Sequence, residues 1–225
     1  MKKISILLFL AVALSCNQKQ VTEIQGENVR ASLLKYGELN PEKEVLIETD
    51  FGNMKVRLYD ETPLHRANFI KNIKEGVYDD ATFYRIFYQF MIQAGIYPKE
   101  LKYTVPAEFH KKYIHKKGAL SMARGDENNP GLESSSTEFF VVQGSKYADY
   151  QVAQDMENLG LNLSADQKEI YMKEGGYMSL DQQYTVFGEV TDGFEVIDKI
   201  AAVKVYNEDK PLKKIGLKIT VIRLR

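Results

Sequence analysis

Phe83-Tyr84-Arg85-Ile86-Phe87-Tyr88-Gln89-Phe90-Met91-Ile92-Gln93-Ala94-Gly95 is the stretch on which the reading of this chain turns. Its residues are β-branched and aromatic, so Thr82–Phe87 and Phe90–Gln93 read as two short strands. A strand-borne Arg85 close to Phe90 and Met91, with an amide at Gln93, is an unusual content for such a pair. Taken alone, the stretch also fits an amphipathic hairpin whose Arg85 faces solvent. The flanking sequence extends the β pattern in both directions. Upstream, Val45–Thr49 and Met54–Tyr59 flank Asp50-Phe51-Gly52-Asn53 and read as a hairpin. Thr62-Pro63 then supplies a helix N-cap with Pro at the first helical position. Leu64, Ala67, Ile70 and Ile73 recur every three residues before Gly76, which predicts an amphipathic helix of about three turns.

Downstream, Gly118–Met122, Phe139–Val142 and Thr185–Val190 are further strand-like runs. Asp192-Gly193 opens a second helix, with Phe194, Ile197, Ile200 and Ala201 on one face. The run from Ile215 to Leu224 is a long, largely alternating strand. Many short strands with two separated helices predict a mainly β fold, an antiparallel sheet closed on itself so that no edge is left open. Residues 124–137 are a loop by composition. Residues 146–174 break the strand rhythm: Ser164-Ala165-Asp166-Gln167 is a capping-box pattern, and Val152, Met156 and Leu159 fall at helical spacing. They read as an inserted helical hairpin.

The 225 residues are 44% hydrophobic and 27% charged, a globular composition. Thirty Lys and Arg against 31 Asp and Glu give a net charge of −1, which provides no basic field for a nucleic-acid backbone. One Cys excludes an intramolecular disulfide and any Cys-based zinc cluster, and three His leave little for a transition metal. His65, His110 and His115 read as helix-surface and loop residues, and no metal or other cofactor is expected.

Met1-Lys2-Lys3 and the apolar run from Ile4 to Leu14 have the layout of a signal peptide; the run is too short to span a bilayer. It ends at Ala13-Leu14-Ser15-Cys16. A small residue directly before the chain's only Cys, at the processing position, resembles a bacterial lipobox, which implies lipidation of Cys16. The expected organisation is a signal peptide over 1–15, a lipidated Cys and polar spacer over 16–40, and one domain over 41–225. The chain would then be lipid-anchored in the bacterial cell envelope, on the periplasmic side of the outer membrane. The alternative is a plainly secreted chain.

Gly118–Ala123, Ser134–Val141 and Leu180–Val190, taken in order with Phe83–Gly95, are similar to the cyclophilin-type peptidyl-prolyl isomerases from about Val45 to the C-terminus. The resemblance implies a closed eight-stranded antiparallel barrel capped by two helices. It implies a catalytic Arg85 with Gln93 beside it, and a substrate groove of Phe90, Met91, Ala123, Glu138, Phe140, Leu180 and Tyr184. It also implies proline-containing polypeptides as partners, and a monomer is expected. Rotation about an Xaa–Pro amide meets a barrier of about 18–20 kcal/mol because resonance makes the C–N bond partly double. In the twisted state the prolyl nitrogen regains a lone pair, to which a permanently charged guanidinium can donate.

The sequence departs from the family pattern in places. Glu138 stands where Gln is usual, and a carboxylate there is expected to pair with Arg85 or Arg124. Tyr84 and Tyr184 stand where His is frequent, Arg124-Gly125 replaces an Asn-Ala pair, and Ser179 replaces an aromatic. Two readings follow: an isomerase acting on exported proteins, and a non-catalytic barrel that grips proline segments. A lipocalin-like carrier would need an open lumen, against which the Phe, Met and Leu filling argues.

Overall fold

The computed structural model describes residue 24, residues 28–96 and residues 101–222. The signal peptide and Cys16 lie outside these residues. In chain order the elements begin with α1 (Val29–Leu39), the hairpin β1 (Glu44–Thr49) and β2 (Gly52–Leu58), and α2 (Pro63–Lys74). Then come β3 (Thr82–Phe87), β4 (Met91–Gly95), β5 (Ala119–Met122) and β6 (Phe139–Val142). The insertion holds α3 (Asp149–Leu159) and α4 (Ala165–Lys173), followed by a 3₁₀ turn at Met178–Leu180. The chain ends with β7 (Val186–Asp192), α5 (Phe194–Ala201), β8 (Val205–Tyr206), β9 (Lys210–Pro211), β10 (Ile215–Gly216) and β11 (Lys218–Val221).

Nine strands form one antiparallel sheet in the order β10-β3-β4-β6-β5-β7-β2-β1-β11. The last C-terminal strand, expected as one long run, is interrupted at Leu217. Ile215 pairs with Phe83 of β3 at one end of this order, and Lys218–Val221 pair with β1 at the other. The same segment thus joins both edges and nearly closes the barrel. Counting β10 and β11 as one stave gives the eight that were expected. The interior is filled by Val56, Phe69, Phe83, Ile92, Leu120, Phe139, Phe187 and their neighbours, which leaves no lumen.

Two helices cap this core as expected: Phe69 and Ile70 of α2, and Val196, Ile197, Ile200 and Ala201 of α5, belong to it. Phe194 does not; it is 40% exposed, because the helix begins at that residue and its inward stripe starts at Val196. The turn into α5 depends on Gly193, at φ +86°, where a Cβ would stand 2.1 Å from the Asn53 carbonyl oxygen. Gly193→Ala is therefore expected to cost at least about 2 kcal/mol in urea unfolding, combining left-handed strain with a backbone clash. A loss below about 0.5 kcal/mol would contradict this packing.

The α2 N-terminus differs from expectation. Thr62 occupies the N-cap position and Pro63 the first turn, but the Thr62 side chain makes no capping bond. The Glu108 carboxylate takes that role, accepting from the Leu64 and His65 amides at 3.1 and 3.0 Å. The stretch expected as polar spacer also contains structure. Val29, Leu33 and Gly37 recur every four residues and are the buried face of α1. That face packs with Leu64 and Ala67 of α2, and with Ile24, Tyr103 and Val105, as a second apolar cluster. No described helix is long and apolar enough to cross a membrane.

The 146–174 insertion is the expected helical pair. Ser164 and Gln167 close the capping box, the Gln167 amide donating to Ser164 Oγ at 3.2 Å and the Ser164 amide to Gln167 Oε1 at 3.0 Å. Val152 is buried and Met156 packs against the insertion's own small core, whereas Leu159 is exposed.

Candidate active site

Strand alternation divides β4 and β6 between two apolar clusters. Ile92 and Ala94 of β4, with Phe139 and Val141 of β6, point into the barrel. Met91 of β4, with Phe140 and Val142 of β6, points outward. There they meet Ala119, Ala123, Leu180 and Val186, with Phe90, Tyr177 and Tyr184 half-buried at the margin. Met91, Ala123, Phe140 and Leu180, named from separate segments of sequence, are thus brought into one outer-face floor.

Arg85 stands beside that floor. In the ladder Arg85 is opposite Gln93, Gln93 opposite Phe140, and Phe140 opposite Ser121, so one row crosses β3, β4, β6 and β5. A bulge between Phe83 and Arg85 puts Arg85 on the outer face while Phe83 stays in the core. The guanidinium is partly exposed, and Nη2 lies 3.6 Å from Asp209 Oδ2, which reaches in from the turn between β8 and β9. The pairing expected between Glu138 and an arginine is replaced. Arg85 pairs with Asp209, Arg124 Nε with Asp126 Oδ1 at 2.7 Å, and the Glu138 carboxylate accepts from the Tyr84 hydroxyl. Tyr84, at the bulge, bonds both Gln93 and Glu138 and so links that carboxylate to the row.

Gln93 Nε2 donates to that same Tyr84 hydroxyl, giving a chain from Gln93 through Tyr84 to Glu138. Burial first, then the Glu138 charge, push the Tyr84 pKa well above the usual phenol range, so its proton stays in place. Tyr84→Phe removes the link and frees the Gln93 amide. The expected result is a fall in kcat/KM of about 3- to 10-fold, the equivalent of one lost hydrogen bond, with little change in the unfolding midpoint. Steady-state kinetics check it, and an unchanged kcat/KM would show that Gln93 needs no tether.

The margin carries Tyr177 and Asp209, which sequence reasoning did not single out, beside Ser179, Arg124 and Tyr184, which it did. Ser179, in place of the expected aromatic, is exposed. Tyr177, two residues earlier, lies against Phe90 at 4.2 Å between ring centroids. Arg124 crosses the Tyr184 ring at 4.2 Å, and Tyr184 meets Phe140 edge-on at 5.9 Å. A doublet of tyrosines around a Met-Ser-Leu turn was the available signal for Tyr177. Asp209 had none, because its partner lies over a hundred residues upstream.

His65 and His115 were expected at the surface and are wholly buried; His110 is exposed in its loop. Each buried ring has both nitrogens occupied, which removes the cost of burying it. His115 Nδ1 is 2.9 Å from Asp181 Oδ1, and Nε2 is 3.2 Å from Ser121 Oγ. His65 Nδ1 is 2.7 Å from Glu108 Oε2, and Nε2 is 2.9 Å from Ser134 Oγ. Both have the order of a Ser–His–acid triad, but Ser121 and Ser134 are buried at 0% and 2% exposure, so no acyl substrate reaches them. Among the described residues, no three His, Cys, Asp or Glu side chains are grouped to hold a metal.

Comparison with known proteins gives the family. Residues 44–222 match the family described as cyclophilin type peptidyl-prolyl cis-trans isomerase/CLD. The chain belongs to that family. A provisionally named peptidyl-prolyl cis-trans isomerase of Staphylococcus saprophyticus is 33% identical over 110 residues, covering 49% of this chain and 52% of its own. A similarly named protein of Staphylococcus aureus strain USA300 is 35% identical over 98 residues, covering 44% and 46%. The chain thus spans about half the length of the curated relatives it matches. A crystal structure of a cyclophilin-type isomerase of Cryptosporidium parvum superposes with a TM-score of 0.61 at 19% identity, covering 82% of this chain and 99% of that one. A second, determined in the presence of the dipeptide Ala-Pro, gives 0.58 at 20% identity, covering 81% and 100%. These two establish the barrel fold.

Proposed function

We propose that the chain is a peptidyl-prolyl cis-trans isomerase that rotates Xaa–Pro bonds in exported proteins and assists their folding. The observation that carries this reading is the row Arg85–Gln93–Phe140 at the edge of an apolar outer floor. A proline ring takes the side of Met91, Phe140 and Leu180, and the guanidinium of Arg85 donates to the prolyl nitrogen as the amide twists. Gln93, held through Tyr84, orients the rotating carbonyl. Each donor gains strength only as the lone pair and carbonyl reorient, so the twisted state is favoured over either planar one. No covalent intermediate is needed.

The family match and the outer-face geometry support the activity; the lipobox-like Ala13–Cys16 segment supports anchoring through Cys16 in the bacterial envelope, facing the periplasm. A monomer suffices, since every residue of the site comes from one chain. The competing reading, a proline-binding module without turnover, draws on the burial of the floor, where Met91 is 1% and Phe140 4% exposed. Relaxation of an Xaa–Pro tetrapeptide from cis to trans separates the two. The isomerase reading expects acceleration in proportion to protein concentration, and none would favour the module. Labelled fatty acid entering wild-type chain but not Cys16→Ser in a bacterial host tests the anchor.

A further inference from the structure

The turn that joins β3 and β4 presents aromatic surface that the proline floor does not use. Phe87 and Tyr88 are 46% and 60% exposed. Phe87 follows Arg85 by two positions and shares its outer face, and it stands directly opposite Met91 in the ladder, next to the floor. Its ring meets Phe90 edge-on at 5.8 Å, and Phe90 in turn lies against Tyr177 at 4.2 Å. Three rings therefore run outward from the floor in one continuous strip. Single exposed apolar residues are ordinary, but a strip contiguous with a groove is not.

The strip is fixed from both sides. Phe90 closes the turn by donating its amide to the Phe87 carbonyl at 3.0 Å. Gln89, at φ 62°, donates its amide to Gln143 Oε1 at 2.7 Å, and the Phe90 carbonyl accepts from the Gln143 and Gly144 amides at 2.9 and 3.0 Å. Tyr177 is set at the foot of the helical insertion: its amide donates to the His115 carbonyl at 2.8 Å, and the next amide, of Met178, to the Tyr147 hydroxyl at 3.0 Å. The backbone that carries the three rings is thus fixed, so its entropy is not lost again on contact.

We propose that Phe87, Phe90 and Tyr177 form a second subsite, which takes an aromatic side chain of the substrate adjacent to its proline. The inference rests on the isomerase reading for its substrate, a proline-containing polypeptide. Continuity with the floor commits the occupant: Phe87 stands directly opposite Met91, so a chain whose proline lies on Met91 passes the rings as it leaves the floor. It also gives the insertion a purpose, namely holding Tyr177 against Phe90.

The test compares the full chain, in mild detergent, with Phe87→Ser and Phe87→Tyr. The probes are two pairs of capped tetrapeptides, with Phe or Ala immediately before the proline in one pair and immediately after it in the other. Both kcat/KM and calorimetric affinity are measured. The wild type is expected to favour Phe over Ala by about 3- to 10-fold at one of the two positions. That ratio falls to near one in Phe87→Ser and is restored in Phe87→Tyr. Absence of a preference at both positions, or a ratio that survives in Phe87→Ser, would overturn the proposal. Should no peptide be turned over, the isomerase reading fails, and the affinity ratio alone still decides the subsite.

Discussion

Arg85→Ala is expected to lower kcat/KM for an Xaa–Pro tetrapeptide by about 100- to 1000-fold, the usual cost of removing one donor aimed at a transition-state charge. Peptide affinity should fall far less, because the floor of Met91, Phe140 and Leu180 is untouched. The fold should tolerate the change. The guanidinium is 41% exposed and its ion pair with Asp209 spans 3.6 Å, a contact worth no more than about 1 kcal/mol. Arg85→Lys keeps the charge but loses the planar fork, so it should recover only a small part of the activity. Kinetics beside a thermal-unfolding control check both. A loss of less than about fivefold in Arg85→Ala would remove Arg85 from the mechanism.

Asp181→Ala is expected to be the most damaging single change to stability outside the barrel core. The buried Asp181 carboxylate accepts from the His115 amide at 2.8 Å, sits 2.9 Å from His115 Nδ1, and accepts from the Tyr171 hydroxyl at 2.7 Å. Truncation strands these donors in the interior, which costs about 3–5 kcal/mol. Tyr171 belongs to α4, so the same change loosens the insertion from the barrel. Leu180 is the adjacent residue, so the groove should suffer with it. Urea unfolding and hydrogen exchange over 146–174 give the readouts, with exchange there accelerating before the barrel's. Asp181→Asn keeps one acceptor oxygen and should lose less. A cost for Asp181→Ala under about 1 kcal/mol would contradict this network.

The sequence disclosed those features whose cause is local. The β-prone runs Phe83–Gly95 and Phe139–Val142 made the strands legible, whereas the floor residues Met91 and Phe140 were named through the family resemblance and not by periodicity. The Asp192-Gly193 punctuation marked α5, and Ser164–Gln167 marked α4. What was missed depends on distant partners. His65 and His115 look like surface histidines until Glu108, Ser134, Ser121 and Asp181 arrive from elsewhere in the chain. Thr62 has the pattern of a cap, yet Glu108 captures the free amides of α2 from 43 and 44 positions away. The break at Leu217 is invisible to periodicity, since pairing with two different edges rather than a turn signal divides the strand. Glu138 was assigned to an arginine by charge alone, whereas the carboxylate meets the Tyr84 hydroxyl at the bulge.

In the proposed mechanism the Arg85 face catalyses rotation rather than merely holding proline. Equilibrium NMR exchange spectroscopy on an Xaa–Pro peptide with catalytic amounts of the chain tests it most directly, because it reads both directions of rotation and binding in one sample. Exchange peaks between the cis and trans resonances are predicted with wild-type protein and not with Arg85→Ala, while the peptide shift changes that report binding persist in both. Binding shifts without exchange peaks in the wild type would contradict the claim and leave a proline-gripping barrel.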